Sequence, residues 1–290
     1  MITEEVFAQE EARLGQSVHM RNGIWWVRVA PGYCKPVHEF RLIAPGSFKP
    51  RLLRSWIGYS HQVPDPVQGN RSMVWNMLQG AELKNFSLER LRSKRRNMVR
   101  GGLRDCRVDV MLPEERILEQ MRQINISQAQ RFEAIQEKPI FLPPDYYTTH
   151  ASKWRADMLK LFSHAGHQFI GAFVNERLAA YSNVIRIEGT WMFGAVKSHQ
   201  EELKHRPVDA LYFYVLSRAS QSSDCQRVVN GGGEDERPSL TSFKRDFLLN
   251  PVVVPYYTRT LIPLDRLRQL KNIFQSRRAK SEPSSPVAQE

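Results

Sequence analysis

Two stretches decide the fold: Thr190–Lys197, TWMFGAVK, and Gln226–Phe247, QRVVNGGGEDERPSLTSFKRDF. The first reads as a strand. The second opens with a short apolar run, Gln226–Asn230, then Gly231-Gly232-Gly233, and reaches Pro238, a favourable first residue for a helix. Between them Val208, Leu211, Tyr212, Val215, Leu216 and Ala219 recur at i, i+3, i+4, i+7, i+8 and i+11, a helix with one apolar face. Strand, helix and strand in that order predict a right-handed crossover joining parallel neighbours. Their C-terminal ends then face one crevice, where open sheets bind ligands.

Upstream, His167–Val174 (HQFIGAFV) and Leu178–Ile187 (LAAYSNVIRI) are strand-like. The links Asn175-Glu176-Arg177 and Glu188-Gly189 are short enough for hairpins, so three strands form an antiparallel meander. Trp154, Met158, Leu161, Phe162 and Ala165 mark a helix before the meander, and Pro113–Ile135 an earlier one. Downstream, Leu240, Phe243 and Phe247 form the buried face of the helix opened by Pro238, and Val252–Thr260 is the last strand. The second half thus reads α, β, β, β, α, β, α, β.

The first half is looser. Residues 1–15 read as a short helix, and Gly23–Ala30 as a strand in which Trp25 and Trp26 straddle two faces. Pro36–Asn70 is rich in Pro, Gly and Ser, which predicts loops or short strands. Ser72–Leu78 is a strand, Ser87 an N-cap, and Leu88, Leu91, Met98, Val99 and Leu103 an apolar helix face before the strand Cys106–Met111. That order predicts a second βαβ crossover. The expected class is α/β (α+β): a mixed sheet with an antiparallel meander and a βαβ crossover, preceded by a smaller related or partial α/β half. The expected divisions are 1–112, 113–262, and a basic helix with a disordered tail over 263–290.

Composition bounds the function. The 290 residues include 14 Phe, 9 Tyr and 6 Trp, enough for a sizeable core. No apolar run is long enough to span a membrane, and MITEEVFAQEEARLG lacks the apolar centre of a secretory signal. Cys34, Cys106 and Cys225 are few and far apart, which argues against a disulfide framework or a structural zinc site. A cytoplasmic protein is expected. The 42 Lys and Arg against 30 Asp and Glu leave a net charge of +12, which attracts phosphates, nucleic acid or anionic lipid.

Taken together, GAFVNERLAAYSNV, WMFGAVKS and VVNGGGEDERPSLTSFKRDF resemble the GNAT acyltransferase fold, and within it the FemAB-like aminoacyl/acyltransferase branch. FSLERLRSKRRNMVRGGLRDCRVDV is similar to the basic helix and strand of that branch's N-terminal half. The resemblance covers most of residues 80–260. It implies transfer of an acyl or aminoacyl group from a thioester (acyl-CoA, acetyl-CoA) or aminoacyl-tRNA to an amine of a small molecule or peptide. Positioning and oxyanion stabilisation by strand N–H groups carry such catalysis. The matching strand end is Gly194-Ala195-Val196, whose backbone lines the donor. Lys197–Arg206, at the start of the crossover helix, meets the donor's phosphates. The usual Gln/Arg-x-x-Gly-x-Gly/Ala is replaced by Gln200-Glu201-Glu202-Leu203-Lys204-His205-Arg206-Pro207, which lacks both glycines. That departure weighs against CoA and less against a FemAB-like donor.

Other candidates keep two readings each. Gly231 and Gly232 admit a substrate close to the backbone, or make a flexible turn. Glu234, with Asp235, accepts the acceptor's proton, or caps the next helix; Asn230 lies near the acceptor. Lys244 binds a substrate phosphate or carboxylate, or is a surface lysine. Gly231–Gly233 is not a P-loop, nor G-x-G-x-x-G, because Glu236 stands in the third glycine's place. Arg90–Arg107 holds Arg90, Arg92, Lys94, Arg95, Arg96, Arg100, Arg104 and Arg107 against Asp105. Of these, Arg95, Arg96 and Arg100 grip tRNA or another polyanion, or form a solvated face. His164 and His167 have ligand-like spacing without further ligands nearby, so no metal is expected. No hydrolase motif stands out. The alternative to a transferase is a basic nucleic-acid-binding or scaffold protein that keeps the fold without chemistry.

Overall fold

The computed structural model describes residues 2–46, 57–134, 142–232 and 238–260. Glu234, Asp235 and the basic segment Leu264–Phe274 lie outside the described residues, as does the tail Ser281–Glu290. The strands are β1 Val18–Arg21, β2 Ile24–Ala30, β3 Tyr33–Pro36, β4 Gly58–Gln62, β5 Arg71–Gln79, β6 Arg107–Val110, β7 His167–Val174, β8 Arg177–Ile187, β9 Thr190–Ser198, β10 Arg227–Gly232 and β11 Asn250–Thr260. The helices are α1 Glu4–Arg13, α2 Gly80–Lys84, α3 Ser93–Asp105, α4 Glu115–Ala134, α5 Tyr146–Thr149, α6 Ala151–Ser163, α7 Pro207–Gln221 and α8 Pro238–Asp246. One 11-stranded sheet runs β1-β2-β3-β4-β11-β5-β10-β9-β8-β7-β6.

The meander forms as the local chemistry dictates. Asn175 and Glu176 have φ of 47° and 63°, and Glu188 and Gly189 have 37° and 76°. Two consecutive left-handed residues make the tight turn whose twist matches antiparallel strands. α7 then crosses from β9 to β10, which pair in parallel.

The crossover expected in the first half is corrected. β5 and β6 are not neighbours: β10, β9, β8 and β7 lie between them. β6 instead closes the far edge, antiparallel to β7, from Arg107↔Phe173 to Val110↔Ile170. The intervening segment therefore spans the whole meander. Ser87 precedes a 3-10 turn at Leu88–Arg90 and makes no side-chain cap bond; the α-helix begins at Ser93.

The period-two alternation of the meander divides the core. Ile170, Ala172 and Val174 face α7 with Phe193, Leu211 and Val215. Phe169, Phe173 and Tyr181 face α4 and α6, against Leu118, Met121 and Trp154. Burying an apolar side chain of this size stabilises by about 1.5–3 kcal/mol. Trp26 is fully buried beside Cys34 and Tyr59 in a third cluster, beneath the N-terminal strands. On α8 Phe243 and Phe247 pack into the core as expected, but Leu240 is 41% exposed and Lys244, one turn on, is 3% exposed. Among the described residues, no helix is long and apolar enough to cross a membrane.

Candidate active site at a parted strand pair

β9 and β10 pair at Thr190↔Arg227, Trp191↔Val228 and Met192↔Val229, and no further pair follows among the described residues. Both strands depart from regular geometry at this level. On β9 the register with β8 passes from Phe193↔Val184 to Val196↔Ser182, so Gly194 and Ala195 together oppose Asn183. This is a β-bulge, which frees backbone groups from the ladder and turns the strand. On β10 the register against β5 shifts between Val229 and Gly232. Glycine is required at the bulge: a Cβ on Gly194 would lie 2.9 Å from the Asn183 carbonyl oxygen. The result is a wedge with Phe193–Lys197 on one side and Asn230–Gly232 on the other.

α7 and α8 furnish the wedge. Tyr212 stacks on Phe193 with ring centroids 4.6 Å apart, and its hydroxyl accepts a 2.6 Å hydrogen bond from Asn230 Nδ2. Phe243 and Phe247 pack on the same Tyr212 ring at 4.9 and 5.2 Å. Gly231 holds φ +56°, and a Cβ there would lie 3.4 Å from Lys244 Nζ. The fold thus brings Asn230, Gly231 and Lys244 together and buries the lysine, where the sequence left a surface lysine open. Tyr212 was readable only as one more apolar helix position. Its phenol at a buried site, which demands a partner, was the available signal.

Lys197 points to the opposite face. Its ammonium donates to Asn125 Oδ1 on α4, and Asn125 Nδ2 in turn donates to the Tyr181 hydroxyl and the Met121 carbonyl, both at 2.7 Å. Burial pulls its pKa down to about 8. Arg206, φ +56°, is exposed at the N-terminus of α7. A Cβ on Gly102 of α3 would sit 2.6 Å from the Arg206 carbonyl oxygen, so glycine sets how closely α3 meets this loop. Beside it lies a depression of about 400 Å³ lined by Lys94, Arg104, Lys204 and Arg206. Two carboxylates of this loop are drawn to Arg177, which lies 3.9 Å from Glu201 and 3.6 Å from Glu202.

The basic run divides. Arg95 is turned inward: its guanidinium donates to Asp209 and, at 3.0 Å, to Asp246, and lies 4.5 Å over the Phe243 ring. Arg96 reaches the Glu89 carbonyl at 3.4 Å, and Arg100 is exposed. Glu11 joins His164 and His167 in space, a gathering that their spacing did not reveal. His164 Nδ1 accepts from the Gly166 N–H at 2.9 Å, which leaves its hydrogen on Nε2, 3.4 Å from Glu11. A ligating ring nitrogen carries no hydrogen and the second nitrogen donates, whereas here Nδ1 accepts and Nε2 faces Glu11 as an N–H.

The comparisons with known structures follow this architecture. L-PGS from Bacillus licheniformis is similar at 15% identity and TM-score 0.60, covering 93% of this chain and 95% of that one. A C-terminal domain from Agrobacterium fabrum matches at 12% and 0.56 over 92% and 91%. FemX matches at 9% and 0.52 over 91% and 92%. The chain shares the fold of these three structures over more than nine-tenths of its length. The likeness runs through both halves of the chain. No family model matches the sequence, and no curated protein does.

Proposed function

We propose that this chain is an acyl- or aminoacyltransferase whose donor enters the wedge between β9 and β10. The observation that carries the reading is the coincidence of three features at one level: the end of parallel pairing, the Gly194–Ala195 bulge and the buried Asn230–Tyr212 pair. A bulged strand without a ladder partner presents N–H groups to a carbonyl oxygen, the arrangement that stabilises a tetrahedral oxyanion. Gly194, Ala195 and Val196 supply this wall. Gly231 and Gly232 let the acceptor approach, with Asn230 and Lys244 beside it and Glu234 as the proton acceptor. Arg206, exposed at the N-terminus of α7, flanks the donor, whereas the Lys197 ammonium is held by Asn125 on the opposite face and reaches it only through its backbone.

The donor is an aminoacyl-tRNA or an acyl-CoA, and the acceptor is an amine. Exposed Arg100, Lys204 and Arg206, with half-buried Arg96, suit a polyanionic donor. The full chain, assayed with aminoacyl-tRNA and with acetyl-CoA against mixed amines, transfers from one of them. Lys244→Ala and Asn230→Ala lower that rate by about 10²-fold or more, the scale of losing a group that acts at the transition state, with tRNA binding unchanged. Transfer that survives both substitutions would overturn the proposal. The same basic depression favours a second reading, a polyanion-binding protein without chemistry; binding of tRNA with no turnover of any donor would support that one.

A further inference from the structure

On the face of the sheet away from α7 lies a pocket of about 410 Å³, within the range of small-molecule sites. It exists because α1 docks across the base of the meander. Glu4 N donates to Glu188 Oε1 at 2.9 Å, and Glu188 N donates to the Ile2 carbonyl at 3.0 Å. Phe7 fills the space over Gly166, where a Cβ would lie 2.4 Å from its ring. β2 closes the pocket from the other side. Its walls are apolar: Val27, Val37, Ile185, Ile187 and Met192.

Its polar groups are few and unlike. Glu11 Oε1 lies 3.4 Å from His164 Nε2. His38 and His167 line the pocket too, and burial pulls each pKa to about 4, so both rings are neutral at pH 7. Glu39 is engaged by Lys35 at 2.8 Å. Arg28 is exposed at the rim, and among the described residues no carboxylate meets it. One carboxylate and one guanidinium therefore remain as the formal charges beside an apolar wall.

We propose that this pocket binds a small zwitterion with an apolar body, an apolar amino acid. Glu11 takes its ammonium, Arg28 its carboxylate, and the Val27–Ile185–Met192 wall its side chain. Met192 is also the last β9 residue paired with β10 before the strands part. The ligand thus lies against the strand that carries the wedge, which makes it a candidate acceptor amine. That role rests on the proposed transferase function; the binding does not.

The test is calorimetry on the full chain, without donor, using L-phenylalanine, phenethylamine and 3-phenylpropionate. L-Phenylalanine binds saturably, and each analogue lacking one charge binds at least about tenfold more weakly, the scale of one charge-assisted hydrogen bond. Glu11→Gln weakens L-phenylalanine and phenethylamine and spares 3-phenylpropionate; Arg28→Ala weakens L-phenylalanine and 3-phenylpropionate and spares phenethylamine. Because Glu11 also sits at the α1 interface, Val29→Trp, at a strand position 53% exposed, is the variant least prone to unfold. It blocks the pocket and abolishes binding. No binding, equal binding of all three compounds, or variants that bind as wild type does would overturn the site. Bound L-phenylalanine that is never acylated leaves the site standing and removes the acceptor role. Transfer to another amine by a chain that does not bind L-phenylalanine removes the site and leaves the transferase standing.

Discussion

Lys197 carries its ammonium beneath α4, and burial holds its pKa at about 8 against the ordinary lysine value of 10.5. The unfolded chain therefore keeps a proton that the folded chain has released between these two values. Stability consequently rises with pH through that window and is lowest, as far as this group is concerned, below pH 8. Lys197→Met has no such proton. Its thermal midpoint, compared with wild type from pH 7 to 10.5, falls progressively behind as pH rises; a constant difference would contradict the assignment. Tyr212→Phe keeps the stack on Phe193 and removes the acceptor of Asn230 Nδ2. A buried amide deprived of its partner costs about 1–3 kcal/mol, readable as a shift in urea midpoint.

At the scale of elements, the joint between α3 and α7 decides whether the wedge keeps its floor. Gly101 and Gly102 are adjacent on α3 yet differ in kind: a Cβ on Gly101 meets nothing within 4 Å, whereas one on Gly102 meets the Arg206 carbonyl at 2.6 Å. Gly101→Ala stabilises by about 0.5–1 kcal/mol through helix propensity, and Gly102→Ala destabilises by about 1–3 kcal/mol by prising the elements apart. Equal denaturation midpoints for the two variants would show that the joint is loose. Arg95 ties α3 to Asp209 on α7 and Asp246 on α8, with side chains 11%, 9% and 26% exposed. Arg95→Met strands two carboxylates and costs about 3–5 kcal/mol. The period of Val208–Ala219 made α7 legible, but nothing local told Arg95 from Arg96. Which basic residues turn inward depends on carboxylates more than 110 positions away.

For the whole molecule, the net charge of +12 has a spatial consequence. Exposed Lys204 and Arg206 lie at the N-terminus of α7 beside Lys94 and Arg104, and α3 also carries exposed Arg100 and half-buried Arg96, while Arg95 is paired internally. Replacing Arg96, Arg100 and Lys204 by Gln reduces the slope of log affinity for tRNA against log salt by about 2–3, at roughly 0.7–0.9 for each phosphate no longer neutralised. Titrations at four salt concentrations measure this, and an unchanged slope would place the polyanion elsewhere.

By itself the sequence determined what is local: the meander and its turns, the α7 crossover, the parallel pairing of β9 with β10, and Pro238 at the head of α8. Those follow from hydrophobic periods and turn chemistry, which act over a few residues. Tertiary structure alone decided where β6 goes, how β11 slips between β4 and β5, why Lys244 is buried while Leu240 is not, and that Glu11 meets His164 and His167. These are pairings between segments far apart in the chain, or differences in what packs along one helix. They are chosen by which surfaces exclude water together, a property that no single segment carries.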